Sequence, residues 1–244
     1  MRYLIKFSYD GTDFYGYQKQ PNKRTVESEL EKALYDINNH TETRVFSSGR
    51  TDRKVHAKGQ TAHFDLEVSI TEYKLKCALN SLLPEDIHII EAREVDSEFH
   101  ARFHVINKTY KYYLNMGEYN PIERNSIHQY NKPLDIDKMS EAISSFVGTY
   151  NFKVFTSDEA IKEDYVRTIY SASIEKKDNI LIFTFTGNGF MKYQVRNMVG
   201  TLIKIGKGKL EVETISLLLK GELTNKYVYT ARPEGLYLME VNYK

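Results

Sequence analysis

One carboxylate, Asp52, stands in the run Ser47–Phe64 (SSGRTDRKVHAKGQTAHF), and five cations crowd around it: Arg44, Arg50, Arg53, Lys54 and Lys58. A carboxylate serves as nucleophile or base only when ionised, and a nearby guanidinium keeps it so when a site closes. The Arg50-Thr51-Asp52 triplet therefore reads as carboxylate chemistry beside a polyanion. Loop aspartates also form turns and caps, and loop arginines also make phosphate contacts or surface pairs, so the triplet alone leaves those readings open. Competing chemistries have less support. His100 and His104 are separated by Ala, Arg and Phe, without the glutamate of a zinc-protease pattern. Gly200–Gly208 has five residues before Gly206-Lys207 where a phosphate loop needs four, and Gly208 follows where Ser or Thr is required. No G-x-G-x-x-G follows a strand, and no Ser or Cys nucleophile pairs with a histidine at motif spacing. Neither a metal nor a cofactor is expected.

The loop needs elements to hold it. Val45 and Phe46 form a short apolar run before it. After it, Ala62, Phe64, Leu66 and Val68 alternate with His63, Asp65 and Glu67, the period-two pattern of a half-buried strand. Arg2–Tyr9 reads as a strand ended by an Asp10-Gly11 turn, and Asp13–Gln20 as an aromatic, amide-rich loop. Thr25 caps a helix with Val26, Leu30, Ala33, Leu34 and Ile37 on one stripe, and Glu27 and Glu29 suit its positive end. Thr71 caps a second helix running to Leu83, closed by Pro84, and Ile87–Val95 reads as a strand.

The order then repeats. Lys108–Met116 reads as a strand; irregular sequence follows through Pro121 and Pro133, then a helix with Ile136, Met139, Ala142, Ile143, Phe146 and Val147 on one face. Tyr165–Ile174 and Ile180–Thr186 read as strands joined by a turn at 176–179, followed by a long helix Met191–Ile205, a short one Thr214–Leu219 and a final strand Leu236–Tyr243. Two such halves indicate an α+β protein divided at 105/106, with lobes 1–105 and 106–244.

Composition agrees with a globular protein. At 244 residues, 41% hydrophobic and 27% charged, the chain buries a sufficient core without staples. The 19 tyrosines and 12 phenylalanines, with no tryptophan, suit base stacking as well as cores. Cys77 is the only cysteine, so no internal disulfide forms; among Leu75, Ala78, Leu79 and Leu82 it is expected to be buried. The N-terminal apolar stretch is too short for a signal peptide and no run reaches membrane-spanning length, so a soluble cytoplasmic protein is expected. The net charge of +1 conceals segregation. Residues 192–209 carry Lys192, Arg196, Lys204, Lys207 and Lys209 and no acid, 100–111 add Arg102, Lys108 and Lys111, and acids gather in 85–98, 157–164 and 211–222. Either the basic segments form one electropositive face or they are scattered over solvated surface.

The whole chain resembles the bacterial tRNA pseudouridine synthase A family. The resemblance runs through YDGTDFYGYQKQ (9–20), TVESELEKAL (25–34), GRTDRKVHAKGQTAHF (49–64), ARFHVINKTYKYYL (101–114), GTYNF (148–152), VRTI (166–169), GNGFMKYQVRNMVGTLIKIGKG (187–208) and GLYLMEVNY (235–243). It implies the pseudouridine synthase fold, two α+β lobes with antiparallel or mixed sheets flanked by helices and a cleft between them. It implies isomerisation of uridine to pseudouridine at positions 38–40 of the tRNA anticodon stem-loop, by a homodimer, without cofactor or metal. By motif position Asp52 matches the nucleophile, Arg50 the arginine that holds the flipped nucleotide open, and Arg196 the arginine that pairs with the catalytic aspartate. Tyr110 matches the tyrosine that stacks on the uracil, and Arg53, Lys54, His56 and Gln60 are expected beside the substrate. The chain departs from R-T-D-A-G-V-H-A at Arg53-Lys54, has Tyr17 for the usual Trp, and has Tyr150-Asn151 for His-Asp. These changes read as divergence, or a duplicated copy, that bears on substrate choice more than on chemistry. The alternative is a tRNA-binding chaperone of the same fold with reduced catalysis, or a synthase with another RNA target; retention of Asp52 favours the enzyme. A glycosidase-type carboxylate hydrolase lacks a second acid at motif spacing.

Overall fold

The computed structural model describes residues 1–157 and 164–244, so most of the acidic stretch at 157–164 lies outside the described residues. The chain forms two compact units, Met1–Ile106 with Leu238–Lys244, and Asn107–Tyr237. Both are α+β. A linear division of the sequence does not include the return of the last residues to the first unit.

In the first unit β1 (Arg2–Tyr9) pairs antiparallel with β3 (His56–Asp65) on one side and β4 (Ile87–Val95) on the other. β2 (Phe46–Ser47) adds to β3, and the end of β10 (Leu236–Tyr243) lies on β3's far side, giving the order β4-β1-β3-β10. Helices α1 (Val26–Ile37) and α2 (Glu72–Leu82) cover this sheet. Each starts where its cap dictates: the Thr25 hydroxyl accepts from the Ser28 amide at 3.3 Å, and that of Thr71 from the Lys74 amide at 3.4 Å. The α1 stripe Val26, Leu30, Ala33 and Leu34 is buried. Cys77 is exposed, contrary to expectation, because Leu75 and Leu79, one turn apart, take the buried face of α2 and leave the position between them outside.

The half-buried pattern expected after the loop also gives way. β3 begins at His56, ends at Asp65 and is buried on both faces, so Val68 lies beyond it. His63, assigned by periodicity to the wet face, is 2% exposed: its ring stacks on Phe46 (centroids 5.0 Å) and meets His100 at 4.6 Å. Its Nδ1 accepts the Ala101 amide at 3.1 Å. The segment that closes over this face is some forty positions away in sequence, so alternation could not register it.

In the second unit β5 (Val105–Asn115), β9 (Ile180–Gly187), β8 (Val166–Lys177) and β7 (Gly148–Asn151) follow in that order, all antiparallel, and β6 (His128–Gln129) lies parallel to β5. β6 and β7 are too short for periodicity to reveal. Helix α3 (Ile136–Ile143) ends earlier than expected in a 3₁₀ turn through Phe146, and packs on α4 (Gln194–Gly206) and β8; α5 (Thr214–Lys220) follows. α4 starts at Gln194 because Tyr193 before it is left-handed, φ 62°.

Burial holds two histidines neutral, and with opposite consequences in folded and unfolded chains. Burial lowers His63 to about 4, and burial with the nearby Arg232 lowers His128 to about 4. Unfolded imidazoles titrate near 6.5, so between these values the unfolded chain binds more protons and stability falls as pH drops. The contribution is fully present above about pH 6.5 and is lost as pH falls through 4. By pH 5 each histidine is expected to remove on the order of 2 kcal/mol. Urea unfolding at pH 7 and pH 5 measures this; equal stabilities would contradict it.

Candidate active site

The Asp52 loop is pinned at both ends by the first unit. At its start Gln60 of β3 turns inward: its Oε1 accepts from the Ser48 hydroxyl (2.7 Å) and its Nε2 donates to Gly49 O (3.0 Å). In the middle the Tyr9 hydroxyl shares a buried 2.8 Å hydrogen bond with Thr51 Oγ1. Burial raises this phenol to about 12, against the opposing hydrogen bonds, so it stays protonated across the working range. Thr51 O accepts from the Tyr17 amide at 3.1 Å, and the Val55 amide closes a turn onto Asp52 O at 3.1 Å.

Two glycines make this docking possible. Gly16 (φ 98°) lies so close that an added Cβ would be 3.1 Å from Thr51 O and 3.5 Å from the Asp52 carbonyl carbon. At Gly11 the Cβ would be 2.1 Å from Val55 O. The Asp10-Gly11 turn at the end of β1 also grips His56, whose Nδ1 lies 3.0 Å from the Gly11 amide and 3.1 Å from Asp10 Oδ1. The His56 contact is the main cause that holds the Asp10 carboxyl below the usual carboxylate range, with the Thr12 hydrogen bonds adding to it.

Between these pins Asp52 is half-buried, and Arg50, Arg53, Lys54 and Lys58 are exposed. The Arg53 guanidinium carbon sits 4.4 Å from the Tyr15 ring centroid, and that of Arg44 5.0 Å from Phe46. Of the residues expected beside substrate, His56 (3% exposed) and Gln60 (0%) are interior, where His56 meets the Gly11 amide and Gln60 bonds the start of the loop. Tyr9, Gly11, Gly16 and Thr51 are positioning residues that motif reading did not single out. Their sequence signal was the strand-ending Tyr-Asp-Gly and the glycine inside an aromatic loop.

Lys54 has φ 65°, in the left-handed region. This is the backbone angle that the glycine of the family pattern suggests, here taken by a side chain at about 1–2 kcal/mol of strain. Lys54→Gly is expected to stabilise the protein by up to about 1 kcal/mol after the added unfolded-chain freedom is subtracted. A lowered urea midpoint would contradict this and point to a holding contact from the lysine.

In the second unit Tyr110 of β5 is 7% exposed and meets Phe190 edge-on at 5.2 Å. Arg196 of α4 donates from Nε to Ala231 O at 2.9 Å while its own carbonyl accepts the Ala231 amide at 2.9 Å, and its guanidinium lies 4.8 Å from the Tyr193 centroid. Lys204 sits over Tyr229 at 4.2 Å, so several cations of the acid-free segment rest on tyrosine rings. Among the described residues no three His, Cys, Asp or Glu side chains gather as a metal site, and no helix is long and apolar enough to cross a membrane.

Comparison with known proteins agrees with this architecture. The family model described as tRNA pseudouridine synthase matches residues 5–104 and 142–244. A tRNA pseudouridine synthase A of Streptococcus agalactiae is 43% identical over all of this chain and 95% of its own length. A tRNA pseudouridine synthase A 1 of Bacillus cereus is 44% identical over 97% of this chain and 96% of its own, and a Streptococcus pneumoniae tRNA pseudouridine synthase A is 43% identical over 100% and 99%. An α+β chain with this motif set therefore belongs to the tRNA pseudouridine synthase family. Within it, these full-length relatives all carry the A designation.

Proposed function

We propose that this chain isomerises uridine to pseudouridine at positions 38–40 of the tRNA anticodon stem-loop, as a cytoplasmic homodimer, with Asp52 as nucleophile and no cofactor. The observation that carries the reading is the loop itself: one half-buried carboxylate among exposed cations, its backbone docked on Gly11 and Gly16 and bonded to Tyr17 and Gln60, with the Thr51 hydroxyl bonded to Tyr9. Relatives matched over full length and named for tRNA pseudouridylation support the same substrate.

A uracil within a stem is out of reach and must leave the stack, at a cost of a few kcal/mol. Stacking on Tyr110 is worth about 1–3 kcal/mol and offsets part of that; the role requires the now-covered ring to open when RNA binds. Arg50 is proposed to hold the extruded nucleotide, and Arg196 to keep Asp52 ionised. Asp52 attacks C6 of the base or C1′ of the ribose, and the Asp52–carbon bond so formed breaks again before the product leaves. Either way the N1–C1′ bond breaks, the uracil turns, a C5–C1′ bond forms, and the C5 proton is lost while N1 gains one. Atoms and charge balance without an external reactant, in keeping with a site built from one carboxylate and cations. His56 and Gln60 serve by holding the loop.

The reading is tested by mapping pseudouridine in tRNA from cells lacking this gene, with and without the wild-type copy restored. Loss at positions 38–40 and recovery on restoration is expected. Intact modification there in the deleted strain, or loss at other positions, would refute the assigned target.

A further inference from the structure

Tyr15, in the loop that docks on the Asp52 turn, is 37% exposed, and two cations meet its one ring. The Arg53 guanidinium carbon and the Lys23 ammonium each lie 4.4 Å from the ring centroid. The backbone that carries the ring is held: the Tyr15 amide donates to Arg24 O at 2.9 Å and its carbonyl accepts from Gln20 Nε2 at 2.9 Å. Arg24, next to Lys23, is already committed, with both terminal nitrogens on Asp86 and Nε on Glu29. By contrast, among the described residues neither Arg53 nor Lys23 has a carboxylate in ion-pair range.

Arg53 and Lys23 bring two positive charges to one ring, so an anion beside it meets a favourable field. A guanidinium held on an aromatic face keeps its N–H edge available for bidentate bonds to phosphate, and loses less freedom on binding than a free arginine. The chain also tolerates a left-handed non-glycine residue, Lys54, directly after Arg53. Sparsely populated backbone of this kind concentrates at functional sites. From these observations we infer that Tyr15, Arg53 and Lys23 form a seat for one backbone phosphate of the RNA strand lying beside the Asp52 loop. The inference rests on the function proposed above and adds to it a contact that the Ala-Gly pattern at positions 53–54 cannot supply. Arg53 acts here as a binding residue that selects how the RNA lies, not as a catalytic one.

The test is the salt dependence of tRNA binding by the full chain, wild type against Arg53→Gln, Arg53→Lys and Lys23→Gln. One lost phosphate contact reduces the slope of log affinity against log salt by about 0.7–0.9. Arg53→Gln is therefore expected to weaken binding about five- to eightfold at 0.1 M salt, and to lose about threefold less affinity than wild type between 50 and 200 mM. Arg53→Lys should keep most of the slope. A merely structural arginine would alter turnover or the urea midpoint and leave the slope alone. An unchanged slope in Arg53→Gln, with wild type binding and modifying tRNA normally, overturns the phosphate seat alone. A wild type that binds no tRNA overturns both the seat and the proposed function.

Discussion

Asp52→Asn is expected to abolish pseudouridine formation, lowering the single-turnover rate about 10⁴-fold or more, as loss of a nucleophile does in other enzymes. The replacement has nearly the same shape, and backbone atoms and neighbouring side chains make bonds that shape the loop. Val55 bonds to the backbone oxygen of residue 52, and Thr51 is held by Tyr9 and Tyr17. The loop should therefore keep its form. Affinity for tRNA should be unchanged or slightly higher, since a negative charge is removed from among Arg50, Arg53 and Lys54, where phosphates would approach. The decisive pair of measurements is tRNA binding and single-turnover conversion in the same preparation. Conversion at near wild-type rate would remove Asp52 from the role of nucleophile. Loss of binding together with conversion would instead mean that the loop had collapsed.

Gly11→Ala should have a large effect although it leaves every polar group in place. The new Cβ would lie 2.1 Å from Val55 O and 2.6 Å from Val55 C, both backbone atoms that no side-chain rotation can move aside. Either the Asp10-Gly11 turn must lift, straining the 3.0 Å bond from the Gly11 amide to His56, or the Asp52 loop must retreat. Overpacking of this kind costs about 1–3 kcal/mol. A displacement of about 1 Å at a reacting group costs about a hundredfold in rate. Both are expected together: a lowered urea midpoint and a turnover reduced about a hundredfold, with the salt slope of tRNA binding retained. A wild-type turnover number would show that the close approach of Gly11 to Val55 does not position Asp52.

The two residues differ in how far along the chain their partners lie. Asp52 stands out in the sequence because a lone acid among five cations is a local pattern. Gly11 does not, since its importance comes from the carbonyl of a residue far along the chain. The same division runs through the site. Arg53 and Lys54 were visible as added cations, but the seating of Arg53 on Tyr15 and the left-handed Lys54 were not. Motif position puts His56 and Gln60 beside the substrate but carries no record of their burial or of the bond from Gln60 to Gly49 O.

By itself the sequence determined what acts over a few residues: the caps at Thr25 and Thr71, the apolar stripe of α1, the extent of β1, β4 and β10, and the carboxylate with its cations. Each is set by backbone and side-chain preferences that operate within one helical turn or one pleat. The tertiary structure alone decided which surfaces of those elements are covered. Tyr9 reaches Thr51 across 42 positions, and Tyr243 reaches the Ala101 carbonyl across 142. Contacts at such separations leave no period in the chain, because each partner can satisfy its own local rules without the other. It is those long contacts, closing over β3 and pinning residues 48–55, that turn a basic loop with one acid into a held carboxylate.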